Sequence, residues 1–171
     1  MPIAHLNIGS NQGDRQGNIS LAVSLIDKQA GRVLAVSDPV ESAPWGYDSA
    51  NPFINVGINI DTTLSPFDLL DALQAIEREL GRDRAAEALE KARTGAPYVS
   101  RPIDIDIIFY DDEVIDTERL RVPHPRLAER EFALVPLCEI VRSRRHPVSG
   151  LTVGEMLDAL RAQTNPGSCE K

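Results

Sequence analysis

Lysine is nearly missing from this sequence. Lys28, Lys91 and Lys171 are the only ones, so arginine carries almost all of the positive charge. Arginine suits bidentate contacts to phosphate or carboxylate, and a GC-rich genome produces the same bias. Cysteine is scarcer still. Cys138 and Cys169 belong to no Cys-x-x-Cys or Cys/His cluster, which argues against a structural zinc site or a disulfide framework and makes a reducing compartment the expectation. Residues 1–5 lack the basic and then apolar layout of a secretory signal. No apolar run approaches the ~20 residues that span a bilayer, so a cytoplasmic location without a membrane partner is expected. The formal charge of −8 argues against a general nucleic-acid-binding surface. Neither a Gly-x-x-x-x-Gly-Lys-Ser/Thr loop nor a Gly-x-Gly-x-x-Gly fingerprint is present, so any nucleotide handled here is held by another scaffold. Internal repeats, low-complexity tracts and a second-domain boundary are also missing.

What is present is the composition of an ordinary globular protein: 171 residues, 42% apolar and 26% charged. A single domain over 1–171 is expected, with 165–171 a frayed tail. Residues 3–8 read as a strand that ends in the turn formers Gly9-Ser10-Asn11-Gln12-Gly13-Asp14. A helix is expected over about 18–29, with Leu21, Leu25 and Ile26 on its apolar face and Gly31 placed to end it. Residues 32–36 resemble a strand, and an irregular segment begins at Ser37-Asp38-Pro39. That segment holds the only Trp, Trp45, and Tyr47 among Gly, Pro and Asn. A long loop of this make-up in a compact domain reads as a binding loop. Residues 53–60 then alternate as a strand whose core face is Ile54, Val56, Ile58 and Ile60. Asn55 lies opposite that face, either solvated or hydrogen-bonding in a pocket.

Ser65-Pro66-Phe67-Asp68 starts a helix: Ser65 caps it, Pro66 suits its first turn and Asp68 complements the dipole. Leu69, Leu70, Leu73, Ile76 and Leu80 form its buried stripe, Gly81 ends it, and Gln74 and Glu77 share a face. The densest basic region follows, with Arg82, Arg84, Lys91, Arg93 and Arg101. Residues 85–93 read as a polar helix broken at 94–97. This arm leads into the stretch on which the chain turns, Arg101-Pro102-Ile103-Asp104-Ile105-Asp106-Ile107-Ile108-Phe109-Tyr110. Its period of two predicts a strand with Ile103, Ile105, Ile107 and Phe109 on the core face. Asp104 and Asp106 share the other face, roughly 6.6–7 Å apart at Cα. Like charges so placed repel unless a cation sits between them, and Mg²⁺ takes one or two carboxylates together with phosphates and water. Asp-x-Asp in isolation reads first as the wet end of a strand. Beyond it come a small hairpin over 113–122, Pro123-His124-Pro125 in extended backbone, a helix or helix-and-turn mix over 132–141, and a closing helix over 153–162.

Several motifs in order resemble the 6-hydroxymethyl-7,8-dihydropterin pyrophosphokinase family over nearly the whole length. They are Ile8-Gly9-Ser10-Asn11, Pro44-x-Gly46, Phe53-Ile54-Asn55, Gln74-x-x-Glu77 before Gly81-Arg82, and Arg101-Pro102-Ile103-Asp104-Ile105-Asp106. The block from Val122-Pro123-His124-Pro125-Arg126 through Phe132, followed by Leu134-Val135-Pro136-Leu137, completes them. The resemblance implies an α+β fold: a ferredoxin-like core, a mostly antiparallel sheet with helices packed on one face, and substrate-closing loops. It implies a Mg-dependent diphosphotransferase moving pyrophosphate from ATP to the pterin alcohol for tetrahydrofolate synthesis, with two Mg²⁺ held by Asp104 and Asp106. The catalytic set it implies is Arg101, Asp104, Asp106, His124 and Arg84, with His124 hydrogen-bonding phosphate rather than acting as a base. Gln74, Glu77, Ile107, Arg119, Arg121, His124 and Arg130 would surround ATP. Ser42, Pro44, Trp45, Gly46, Phe53, Asn55 and Phe132 would hold the pterin. A monomer is expected. Segment 82–100 departs from the family pattern: it is longer and Ala-rich, and it lacks the Trp the family usually carries there, so either Tyr98 or Trp45 would supply that aromatic. A paralogue acting on a related pterin, or a non-catalytic ferredoxin-like binding domain, are the alternatives.

Overall fold

Two long strands pair at the centre of the sheet. β1 (Ile3–Ser10) and β4 (Phe53–Asp61) run antiparallel from Ile3 opposite Asp61 to Ser10 opposite Ile54. β5 (Asp104–Tyr110) lies antiparallel on the free side of β1. β2 (Arg32–Val36) and β3 (Val40–Ser42) share the free side of β4, giving the order β2-β4-β1-β5 with β3 beside β4. With the helices α1 (Arg15–Gln29) and α2 (Pro66–Glu79) between strands, this is the ferredoxin-like βαββαβ arrangement. The computed structural model of the chain describes residues 2–42, 52–95 and 102–164.

Helices cover both faces of the sheet, not one as the resemblance implied. On the first face α1 and α2 press Ile19, Ala22, Ile26, Leu69, Leu73 and Ile76 onto alternate residues of β1, β4 and β5. On the second, α4 (Glu131–Val141) and α5 (Val153–Thr164) pack Leu134, Leu137, Met156 and Leu157 against Ile108 and Phe109. Two covered faces explain why β1 and β4 are buried at almost every position. Among the described residues, no helix is long and apolar enough to cross a membrane.

Local departures from the expected pattern have physical causes. The apolar stripe of α1 is Ile19, Ala22 and Ile26, whereas Leu21 is exposed. The helix starts at Arg15, where the Asp14 carboxylate accepts the Gly17 N–H; Ile26 and Leu25 pack as expected, joined by Ile19 and Ala22 in place of Leu21. Gly31 follows α1 because a Cβ there would stand 2.6 Å from the Asp61 carbonyl oxygen. The segment after Ser37 is not irregular throughout. Ser37 exchanges hydrogen bonds with Gly57 through its N–H and its Oγ, and β3 resumes the pairing with β4 at Val40.

The alternation of β5 breaks at Ile108. Leu6 pairs with Ile107 but His5 with Phe109, so Ile108 is an extra residue in the ladder. Phe109 therefore joins Ile108 on the α4/α5 face, and Tyr110 takes the α1/α2 side. The expectation that Phe109 shares a face with Ile103, Ile105 and Ile107 is corrected by this bulge. The freed Ile108 carbonyl accepts the His124 N–H at 3.0 Å, which fixes the backbone after the hairpin of β6 (Ile115–Asp116) and β7 (Arg121–Val122).

Candidate active site

β5 is an edge strand, and the groups that close its open side build the site. Ser65 caps α2 by accepting the Asp68 N–H, and the helix carries Glu77 beneath the strand. The Glu77 carboxylate, almost wholly buried, accepts the Ile105 N–H at 2.9 Å, between the two aspartates. The same oxygen accepts from Arg82 Nη1 at 2.8 Å, and that nitrogen also donates to Asp104 Oδ1 at 3.0 Å. Arg82 Nε and Nη2 form a fork onto Glu87 of α3 (Arg84–Thr94). Burial alone would lower the Arg82 pKa. The hydrogen bond to Glu87 and the charges of Asp104 and Glu77 outweigh it, and the guanidinium is held more firmly protonated than usual. Arg82 is the site residue that sequence reasoning gave no role. Its signal was the position just after the Gly81 stop, where α2 hands the chain to β5.

Asp104 and Asp106 project from the second face, opposite Gly9 and Asn7 of β1. Their side chains are 26% and 29% exposed, so both are half-sunk and reachable. Burial and the neighbouring Asp104 charge push Asp106 up to about 7, against the opposing pull of Arg130, whose Nη1 stands 3.8 Å away. His124 is pushed down to about 4 by burial and by Arg130. Its Nδ1 accepts the Arg126 N–H at 3.2 Å, so the ring is neutral near pH 7 with its proton on Nε2.

A cavity of about 270 Å³ beside the strand brings together Gln74, Asp106, Ile107, Arg119, Arg121 and His124. Six of the residues expected at the nucleotide or the metal therefore meet in one cleft. Arg119 is paired with Asp71, and Arg121 with Asp116 at 3.2 Å. Glu77 lies under the strand and not in the cleft, and Arg130 flanks Asp106 from the start of α4. On the other side of β1, Phe53 and Asn55 stand at the head of β4. Gly9 is what lets them close in: a Cβ there would be 3.0 Å from Asn55 Oδ1 and 3.6 Å from the Phe53 ring. Phe132 opens α4 with the Arg130 guanidinium 5.5 Å from its ring centroid. The expectations placed on Pro44, Trp45, Gly46 and Arg101, and on the side chains of Ser42 and Arg84, lie outside the described residues, as do Tyr98 and the tail at 165–171.

Fold and cleft define a class: a ferredoxin-like α+β domain that sets a carboxylate pair among arginines on its edge strand. The model of the 7,8-dihydro-6-hydroxymethylpterin-pyrophosphokinase family matches residues 5–142. A Bacillus subtilis 2-amino-4-hydroxy-6-hydroxymethyldihydropteridine pyrophosphokinase is 43% identical over 139 residues, covering 81% of this chain and 77% of that protein. Its Porphyromonas gingivalis namesake is 38% identical over 141 residues, 82% of this chain and 91% of that one. The solved structure of a wild-type Plasmodium falciparum HPPK-DHPS superposes with a TM-score of 0.73 at 15% identity, a likeness of fold. The match covers 97% of this chain and 46% of that longer one. The chain belongs to the 7,8-dihydro-6-hydroxymethylpterin-pyrophosphokinase family.

Proposed function

We propose that the chain, acting as one cytoplasmic monomeric domain, transfers pyrophosphate from ATP to the hydroxymethyl group of 6-hydroxymethyl-7,8-dihydropterin in folate synthesis. The products are AMP and the pterin diphosphate. The observation that carries the reading is the spacing across β1. Gly9 pairs with Asn55 on one side and Asp104 on the other, which sets the two side chains two strand spacings apart, roughly 10 Å. A fused bicycle with a hydroxymethyl arm fits that gap. Its ring edge would lie at Asn55, between the Phe53 and Phe132 rings, and its alcohol would reach the carboxylate pair.

The carboxylate pair suits magnesium. Among the described residues no cluster of three or more His, Cys, Asp or Glu forms a closed cage, and Mg²⁺ prefers an open site of one or two carboxylates, water and substrate phosphates. The high Asp106 pKa marks a place where the local field favours an added cation. Asp104 and Asp106 would hold two ions, which when bound would neutralise phosphate charge and align the β-phosphorus.

The chain's own part is positioning and charge compensation, which dominate such transfers. The alcohol oxygen bonds to the β-phosphorus and gives its proton to a carboxylate of the Asp104–Asp106 pair, while the bond from that phosphorus to the α,β-bridging oxygen breaks and AMP leaves. Gln74, Arg119 and Arg121 flank the nucleotide cleft, and Arg101 clamps the phosphates. His124 donates its Nε2–H to a phosphate oxygen and, being neutral with Nδ1 engaged by the Arg126 N–H, is not the base. Arg130 stands between Asp106 and the Phe132 ring, where the two substrates meet. AMP release should require both Mg²⁺ and the dihydropterin alcohol and should stop on chelation. AMP formation unaffected by chelator would remove the metal from the reading.

A further inference from the structure

Asn7 is a buried amide on the β1 strand with no partner for its oxygen. The residue is 4% exposed, and among the described residues Oδ1 has no hydrogen-bond partner. Three of its four neighbours on the sheet face offer its oxygen no donor. Across the ladder to β4 stands Gly57, which has no side chain and lies under Pro136: a Cβ at Gly57 would meet Pro136 Cβ at 3.2 Å. Two residues along β1 in one direction is Gly9. In the other is His5, whose Nδ1 is already bonded to Asn59 Oδ1 at 2.5 Å. The remaining neighbour is Asp106, paired with Asn7 on β5. Directly opposed residues project to the same face with Cβ atoms ~5 Å apart. The other orphaned polar atom beside Asp106 is a donor, Arg130 Nε. An ionised Asp106 offers only acceptors and Arg130 Nε does not bond Asn7 Oδ1, so what Asn7 Oδ1 requires is a donor bound at Asp106.

We propose that Asn7 is a positioning residue of the phosphoryl-transfer site, its Oδ1 accepting a hydrogen bond from a water ligand of the cation held on Asp106. The proposal rests on the reading of Asp106 as a metal ligand. An unpartnered buried acceptor costs stability in the empty protein, and it is recovered when a hydrated cation supplies the missing O–H donor. Outer partners of this kind typically change metal affinity by about 10–100-fold.

The test uses Mn²⁺ as the probe, with a non-hydrolysable ATP analogue bridged by carbon between the α- and β-phosphorus. Mn²⁺ binding is followed by electron paramagnetic resonance alongside thermal melting of the metal-free protein. Asn7→Leu keeps the branched shape and removes the acceptor; Asn7→Ala removes it without obstructing the site. Both should weaken Mn²⁺ binding about tenfold, and Asn7→Leu should melt at or above the wild-type temperature. Wild-type Mn²⁺ affinity in Asn7→Ala would overturn the proposal, as would a lower melting temperature for Asn7→Leu, which marks a packing role. Failure of the wild-type protein to bind Mn²⁺ at all would instead overturn the metal reading of Asp106.

Discussion

The two faces of one sheet do different work here. On the α1/α2 side, β1 and β4 contribute Ala4, Leu6, Ile8, Ile54, Val56, Ile58 and Ile60, an unbroken aliphatic surface. One residue along in each strand, the α4/α5 side carries His5, Asn7, Asn55 and Asn59, all buried, and β5 adds Asp104 and Asp106. Because side chains alternate, each strand stabilises with one face and presents chemistry with the other. The bulge at Ile108 marks where the second face returns to apolar packing. Polar burial nevertheless runs along the whole face, from Asn55 near the loops to the His5–Asn59 pair beside Phe109.

Removing charge from the second face should have the largest effect on turnover. Asp104→Ala or Asp106→Ala should lower the rate of AMP formation on the order of 10³-fold, with the circular dichroism spectrum unchanged. Wild-type turnover in either variant would break the contrast. Arg82→Met should both slow the enzyme and destabilise it by about 3–5 kcal/mol in urea unfolding, because Glu77 and Asp104 lose their buried counter-charge. Leu73→Ala, on the aliphatic face, should cost about 2–5 kcal/mol and leave KM for both substrates unchanged at temperatures where it is folded.

A pH series sharpens the same contrast. Asp106 titrates near 3.8 when free and near 7 in the fold. Between those values the folded protein holds the extra proton, so this group's contribution to stability is lost as pH rises through 7. Burial of His124 acts in the opposite sense, since its pKa falls from 6.5 to about 4 and stability gains as pH rises across that window. Metal-free Asp106→Asn should therefore be more stable than wild type at about pH 8, on the order of 2 kcal/mol, with the difference vanishing near pH 4. The smallest effect on stability is expected at Arg121, an exposed arginine paired with exposed Asp116. Arg121→Ala should shift stability by less than about 0.5 kcal/mol while raising KM for ATP.

Much of this was legible in residue order. Ser65-Pro66, Gly81 and the alternation around Asp104 and Asp106 encode local geometry directly, and those elements form where the pattern places them. Face assignments beyond a single strand were less legible. Helices α4 and α5 were expected but not their place on a second face, because they follow the sheet in sequence and that face already looked polar. The Ile108 bulge is invisible to a period-of-two reading, since Ile107, Ile108 and Phe109 are all apolar and either phase fits. Arg82 looked like one arginine in a basic run. Only the packing of α2 under β5 shows that it is buried between carboxylates.

If the acidic pair and its arginines direct a nucleophile to the β-phosphorus, ³¹P nuclear magnetic resonance of a reaction containing the protein, Mg-ATP and 6-hydroxymethyl-7,8-dihydropterin should show AMP together with the two coupled resonances of a pterin diphosphate. ADP with a pterin monophosphate, or unchanged ATP, would rule that chemistry out.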